Sequence, residues 1–235
     1  MIKLPIHYME IETLYSNTIG KGLRSLAITS AVSNEGTSTV AYAVAARGAA
    51  DGKKVLLIEM NMVHPYWSEQ SQQTYSQWKP TPESMAENTI HDKDSGIHIL
   101  PAPCRTDVIR FRSVNTMQRI IAHWLVMYDL ILFDTSPVNA LNRNNIPAEF
   151  ICSQVSGTLI TVLSGSTQKY EVQKALTTLL GNNINVVGFV MNDAYEPSLV
   201  DDICHETHKL DSKCPTLMKQ IRAFIRRSPF FNIQQ

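Results

Sequence analysis

The apolar residues of this chain fall into short unbroken runs, separated by stretches with helical spacing. Ser25-Leu26-Ala27-Ile28-Thr29-Ser30, Val55-Leu56-Leu57-Ile58, Ile97-His98-Ile99-Leu100-Pro101, Asp129-Leu130-Ile131-Leu132-Phe133-Asp134, Gly157–Leu163 and Asn185–Met191 are all strand-sized. Runs that are apolar without alternation suit strands covered on both faces. Between them the pattern predicts an alanine-rich helix from Ser38 to about Ala50, ended by Asp51-Gly52-Lys53. It predicts another from Ser113 to Met127, with Val114, Met117, Ile121, Leu125 and Val126 on one face. A short helix over Pro147–Cys152 and one over Thr167–Leu180, stopped by Gly181, complete the alternation. Strand and helix in turn imply βαβ units with right-handed crossovers. The expected fold class is α/β: a mainly parallel sheet flanked by helices on both faces.

The remaining segments are less regular. Residues 1–25 form an N-terminal arm in which Met9–Tyr15 suits a short helix and Gly20-Lys21-Gly22 a break. Residues 62–95, rich in Gln, Ser, Thr and Pro, suit a long excursion with one short helix near Glu83–Asn88. The division is an arm over 1–25, an α/β domain over 26–195 and a helical tail over 196–235, without internal repeats.

At 235 residues the chain is long for one domain but ordinary for an open α/β sheet. A chain of this size buries roughly 70% of the surface its unfolded form exposes, so folding needs no disulfide or metal. A content of 44% hydrophobic and 18% charged residues is that of a globular protein. The formal net charge is zero, which gives no global electrostatic case for nucleic acid or an acidic membrane. Cys104, Cys152, Cys204 and Cys214 form no CxxC pair. Without a secretory signal they suit reduced thiols in a cytosolic protein. No apolar stretch approaches the ~20 residues that span a bilayer.

Candidate chemistry clusters at the C-terminal ends of the predicted strands, the edge where open α/β sheets bind ligands. The first junction runs Ser30-Ala31-Val32-Ser33-Asn34-Glu35-Gly36-Thr37-Ser38-Thr39. In a phosphate loop, backbone N–H groups at a helix N-terminus cradle phosphate, a lysine adds charge, and a Ser/Thr hydroxyl holds Mg²⁺. The lysine position, after Gly36, is Thr37. The second strand continues Glu59-Met60-Asn61-Met62-Val63-His64-Pro65, the fourth ends Asp134-Thr135-Ser136-Pro137, and the last ends Asn192.

Taken together and in this order, the four elements resemble the cytoplasmic domain of bacterial tyrosine autokinases of capsular and exopolysaccharide synthesis, relatives of the MinD/ParA ATPases. The resemblance covers about residues 9–195. In that family the loop usually reads Pro-Gly-Glu-Gly-Lys-Ser, matched by Ser33–Ser38. The second element is Asp-x-Asp followed by a hydrophobic residue, basic residues and Pro; the third is Asp-Thr-Pro-Pro. The resemblance implies a P-loop NTPase fold of the deviant Walker type and ATP or ADP with Mg²⁺ as cofactor. It implies nucleotide binding by Asn34, Glu35, Gly36, Thr37, Ser38, Thr39 and Asn192, and magnesium at Ser38 and Asp134. In an active member Asp134 and Glu59 would be the catalytic carboxylates. It further implies a cytoplasmic protein at the inner face of the membrane, partnered by an inner-membrane polysaccharide copolymerase or chain-length protein. Homo-oligomers fit that role; nucleic acid does not.

The departures fall where the chemistry is. Lysine becomes Thr37, and the two acidic positions become Glu59, one methylene longer, and Asn61, uncharged. Asn34 stands for a glycine, and Asn is the non-glycine residue most tolerant of positive φ. Phosphoryl transfer rests on positioning and charge stabilisation. Losing one preorganised charge partner costs ~10²–10³-fold in rate. Binding suffers less, because the loop N–H groups and the helix dipole remain. The family's N-terminal Glu-x-x-Arg-x-x-Arg, which serves ring assembly, is Met9, Glu12 and Tyr15 here, and no tyrosine follows Tyr195 in place of the autophosphorylated cluster. The joint loss describes a pseudokinase with a binding and regulatory role. The alternatives are an atypical ATPase or tyrosine kinase, with Lys21 or Lys169 supplying the charge, and a MinD/ParA-type positioning factor. A strand-to-helix turn without ligand, with Glu59 and Asp134 as ordinary strand-end polar residues, is the bland alternative.

Three features lie outside this scheme. Cys204-His205-x-x-His208 with Cys214 has no usual zinc spacing and suits a surface helix. Leu217, Ile221, Phe224 and Ile225 oppose Lys219, Arg222 and Arg226, a basic amphipathic helix. With Phe230-Phe231 beyond it, the segment 215–231 suits packing on its own sheet, docking on a partner or lying on an anionic membrane. Trp67, Tyr75 and Trp78 in the excursion suit local packing or an exposed protein-binding loop.

Overall fold

A computed structural model describes residues 4–62, 64–67, 78–103, 108–140, 145–193, 207 and 215–227. The elements in chain order are α1 (Met9–Thr18), β1 (Ser25–Ser30), α2 (Thr37–Ala50), β2 (Val55–Glu59), α3 (Pro82–Asn88), β3 (Ile90–His91) and β4 (His98–Leu100). There follow α4 (Val108–Phe111), α5 (Val114–Met127), β5 (Leu130–Asp134), α6 (Ala148–Cys152), β6 (Gly157–Leu163), α7 (Lys169–Gly181), β7 (Val186–Asn192) and α8 (Pro215–Arg227). The chain divides into two compact units, residues 1–192 and 193–235.

The first unit is a sheet of order β3-β4-β2-β5-β1-β6-β7. Only β3 runs antiparallel to its neighbour. Period-two alternation sends Leu26, Ile28, Leu57 and Leu132 to one face and Ala27, Ile58, Phe133 and Ile160 to the other. The first face carries α1 and α2; the second carries α5, α6 and α7. Each central strand is therefore buried on both sides, which is what the unbroken apolar runs require. Helix α2 lies so close to the sheet that a Cβ on Gly48 would meet Leu130 at 3.0 Å and Val55 at 3.3 Å. Alanines along its length permit that approach.

Helix α1 packs on α2. Arg47 Nε donates to Glu12 at 2.5 Å, and the Tyr15 hydroxyl donates to Asp51 at 2.6 Å. Burial and the Asp51 carboxylate hold the Tyr15 phenol above its usual pKa. Excursion residue Trp78 is fully buried, its indole N–H donating to the Pro101 carbonyl at 2.7 Å and its ring edge-on to Phe111. Trp67 stacks on Tyr42 at 5.3 Å.

Several expectations needed correction. Helix α5 buries Met117, Ile120, Ile121 and Trp124, while Val126 is 88% exposed and Val114 46%. At 100° per residue, nine steps place Val126 about 180° from Met117, so the two never share a face. Helix α7 starts at Lys169 rather than Thr167, because residues 164–168 form a turn with Gly165 at φ 67°. Strand β3 and helix α4 carry no periodicity at two and four residues and were not expected. Of the cysteines, Cys152 is described: a buried free thiol. Cys104, Cys204, His205, His208, Cys214, Tyr75, Tyr195 and Phe230-Phe231 lie outside the described residues. In the second unit α8 spans Pro215–Arg227, and Arg222 donates to the Thr207 hydroxyl at 3.4 Å. Among the described residues, no helix is long and apolar enough to cross a membrane.

Candidate functional site

The sheet order sets the place of the site. The connection from β1 leads toward β2, and that from β5 leads across to β6. Adjacent strands whose connections leave in opposite directions open a crevice at their C-terminal ends. The loop of residues 31–36 and the carboxylate of Asp134 stand at that crevice.

The loop has the shape that a phosphate cradle needs. Asn34 takes φ 68° and Gly36, the N-cap of α2, takes φ 85°. Asn34 thus holds the left-handed conformation in place of a glycine, as its local side-chain chemistry permits. Gly36 is doubly constrained: a Cβ there would also sit 2.4 Å from Asn192 Nδ2. Asn192, at the end of β7, donates that amide to the Glu35 carbonyl at 3.1 Å. The expected nucleotide residue Asn192 is therefore brought to the loop and ties it to the strand two places away. Beyond Gly36 the first N–H groups of the 14-residue α2, those of Thr37, Ser38 and Thr39 among them, have no intrahelical partner.

Glu35 braces the loop from within. Its side chain is 1% exposed. One carboxylate oxygen accepts the backbone N–H groups of Ala31 at 2.7 Å and Val32 at 3.0 Å. The other accepts Leu163 N–H at 3.4 Å and the Thr167 hydroxyl. The acid between two positive-φ residues thus fastens the loop to itself and to the turn after β6. The family resemblance assigns Glu35 to nucleotide contact; its bracing role is signalled in the sequence only by a charge inside a loop of otherwise small residues.

Thr37 turns away from the mouth of the loop. Its hydroxyl lies 3.0 Å from that of Thr161, in the middle of β6. Thr161 gives its single proton to the Thr29 carbonyl at 3.0 Å. Thr37 must therefore be the donor in the pair. The side chain that stands for lysine is committed to the sheet, and only its backbone N–H is left for a ligand. Thr161 and Thr29, hydroxyls inside apolar strands, are the signal in the sequence for this contact.

Asp134 is the most perturbed group at the crevice. It is fully buried, and neither carboxylate oxygen makes a hydrogen bond of normal geometry among the described residues. Burial raises its pKa to about 8, against a lowering influence from the nearby Ser38 hydroxyl and with a further rise from Glu59. Two orphaned carboxylate oxygens beside a hydroxyl form a hard oxygen donor set, which fits Mg²⁺. The structure thus places the Ser38 hydroxyl beside Asp134.

Glu59 pairs with Asp134 in register across β2 and β5. Its carboxylate accepts Trp67 N–H at 2.9 Å and Ala102 N–H at 3.1 Å. It therefore ties the backbone at Trp67 and at Ala102 to the end of β2. Asn61, which stands for the second family acid, accepts His64 N–H at 3.2 Å. Lys21 precedes β1 and lies at the opposite edge of the sheet, one six-residue strand or roughly 20 Å away. It does not reach the loop. Lys169, the first residue of α7, is at the correct edge.

No protein-family profile matches the chain. The tyrosine-protein kinase YwqD of Bacillus subtilis (strain 168) is 26% identical over 180 residues, covering 74% of both chains. The kinase domain of Escherichia coli tyrosine kinase ETK superposes with a TM-score of 0.61 at 20% identity, over 72% of this chain and 67% of the other. The septum site-determining protein MinD of Pyrococcus horikoshii, complexed with Mg-ADP, gives 0.58 at 17% identity, over 74% and 72%. The chain is related to the bacterial tyrosine kinases, and its fold is the MinD-like fold of P-loop NTPases.

Proposed function

We propose that this relative of the bacterial tyrosine kinases binds ATP or ADP with Mg²⁺ at the 31–39 loop, transfers phosphate poorly or not at all, and works as a binding and regulatory component of bacterial polysaccharide synthesis and export. The observation that carries this reading is the committed Thr37 side chain beside an otherwise intact cradle. The loop keeps both positive-φ residues, the helix N-terminus and the Ser38–Asp134 pair. Each of these serves binding. What is missing is the mobile cation that would gather charge on the transferring phosphate.

In this scheme the N–H groups at the start of α2 hold the β-phosphate, and Gly36 leaves room for its approach. Asn192 fixes the loop under the nucleotide. Ser38 and Asp134 would hold Mg²⁺, which when bound neutralises phosphate charge. Glu59 holds the backbone at Trp67 and Ala102 beside the end of β2. Bound nucleotide would act as a signal, with the loop that Glu35 and Asn192 brace presenting it to a partner. By family resemblance, that partner is the cytoplasmic end of an inner-membrane copolymerase or chain-length protein, with α8 as a peripheral membrane contact.

A second reading, a slow ATPase or tyrosine kinase, draws on the same Ser38–Asp134 pair. Calorimetry with MgATP and MgADP, paired with a γ-phosphate release assay, separates the two. Binding with turnover at or below background supports the regulatory reading. Brisk metal-dependent release that Asp134→Ala abolishes supports the enzyme and refutes the impaired one.

A further inference from the structure

We propose that Lys169 supplies the phosphate-directed positive charge that Thr37 cannot; this rests on the nucleotide-binding reading above. The segment carrying Lys169 is fastened to the phosphate loop at three points. Thr167 donates its hydroxyl to Glu35 within the loop. Ser164 N–H donates to the Asn192 carbonyl at 2.8 Å, and Asn192 in turn holds Glu35. On the far side, Asn139 donates its side-chain amide to Glu171 and its backbone N–H to the Ala31 carbonyl at 3.2 Å. These ties bring the start of α7 beside the loop by construction rather than by chance of a surface turn.

Lys169 itself is out of keeping with its position. It is the first residue of a 13-residue helix, where the dipole disfavours a cation. The acid of that first turn, Glu171, is occupied by Asn139. Among the described residues, the exposed Lys169 ammonium makes no ion pair. A cation at the wrong end of a helix, without a counter-ion and beside a loop built for anions, is explained by an anion that arrives with the ligand. Its flexible four-carbon stem lets the charge swing over the loop mouth. Lysine in the usual P-loop position stands on the loop itself; Lys169 stands on the helix that follows β6, so its charge would reach the β-phosphate from that side.

The test is calorimetry on the full chain with MgATP and with AMP, for wild type, Lys169→Ala, Lys169→Arg, Thr37→Lys and the Thr37→Lys/Lys169→Ala pair. Thermal unfolding checks that each variant folds. A single charged hydrogen bond to phosphate corresponds to roughly a tenfold to hundredfold change in affinity. Lys169→Ala is expected to lose that factor for MgATP and little for AMP, Lys169→Arg to keep most of it, and the added Ala to cost far less once Thr37→Lys is present. Wild-type binding that Lys169→Ala leaves unchanged overturns this proposal and leaves the nucleotide reading standing. Binding seen only after Thr37→Lys overturns both. Failure of wild type and Thr37→Lys alike removes the cradle, and the proposal with it.

Discussion

Glu35 offers the sharpest test of how the phosphate loop keeps its shape without lysine. Its carboxylate accepts Ala31 and Val32 N–H at 2.7 and 3.0 Å, Leu163 N–H at 3.4 Å, and the Thr167 hydroxyl. Glu35→Ala strands all four donors. Val32 is partly exposed and recovers a water, and the bond to Leu163 is long. The cost is dominated by the buried Ala31 N–H and by the severed link to β6. At about 1–3 kcal/mol per orphaned buried group, the loss comes to about 2–4 kcal/mol. In a unit of this size that lowers Tm by roughly 5–15 °C. Glu35→Gln keeps one acceptor for Ala31 and Val32 but turns an NH₂ group toward Leu163 N–H, so its cost is smaller, about 1–2 kcal/mol. Urea unfolding of the three proteins measures the gradation. MgATP affinity should fall at least tenfold in Glu35→Ala, because the positive-φ residues on either side lose their tie. An alanine variant that unfolds with wild type, or a glutamine variant as damaged as the alanine one, refutes the bracing role.

Gly36→Ala combines a left-handed φ with a Cβ 2.4 Å from Asn192 Nδ2; it should cost about 2–4 kcal/mol by urea unfolding and abolish nucleotide binding. Asp134, its pKa raised to about 8, makes the metal-free protein less stable as pH rises. The unfolded chain releases that proton near pH 4 and the folded one near pH 8, so stability falls between them by at most about 1.4 kcal/mol per pH unit. Thermal scans in EDTA from pH 5 to 8 should show the decline, Asp134→Asn should flatten it, and Mg²⁺ should restore stability at pH 8. Thr37→Lys should tighten MgATP binding on calorimetry. Residues 215–235 should confer salt-sensitive co-sedimentation with anionic vesicles, lost on their deletion, while nucleotide affinity stays unchanged.

The fold was legible because its cause is local. Leu130–Phe133 and Val55–Ile58 can be apolar throughout only if both sides of the strand are covered, and their alternation with helical stretches implies parallel βαβ structure. Positive φ at Asn34 was legible for the same reason, since few other residues accept it. Contacts between distant residues were not. Nothing along the chain says that Thr37 meets Thr161, 124 residues away, or that Glu35 reaches Thr167 at a separation of 132. On α5 the apolar residues do not all lie on one face: Val126 sits opposite Met117 and faces solvent. Lys21 and Lys169 were indistinguishable as charges and were separated only when the strand direction placed them at opposite edges of the sheet.

Those distant contacts explain why a loop with Thr37 at the lysine position is formed rather than collapsed. The lysine of a phosphate loop serves the ligand; it is not what bends the backbone. Here the backbone is bent by Asn34 and Gly36, clamped internally by Glu35 and held from β7 by Asn192. None of these depends on residue 37. Thr37, being short, falls back onto Thr161 and satisfies its own hydroxyl, so the substitution leaves no orphaned buried polar group. Asp134 has no such local resolution. Its two oxygens remain buried beside Glu59, a cost that persists only where some state of the protein offsets it. Under the proposed reading, cation binding is that state, and it would join Asp134 to the loop: the decline between pH 5 and 8 in EDTA measures the cost, and Mg²⁺ that fails to recover it at pH 8 refutes the link.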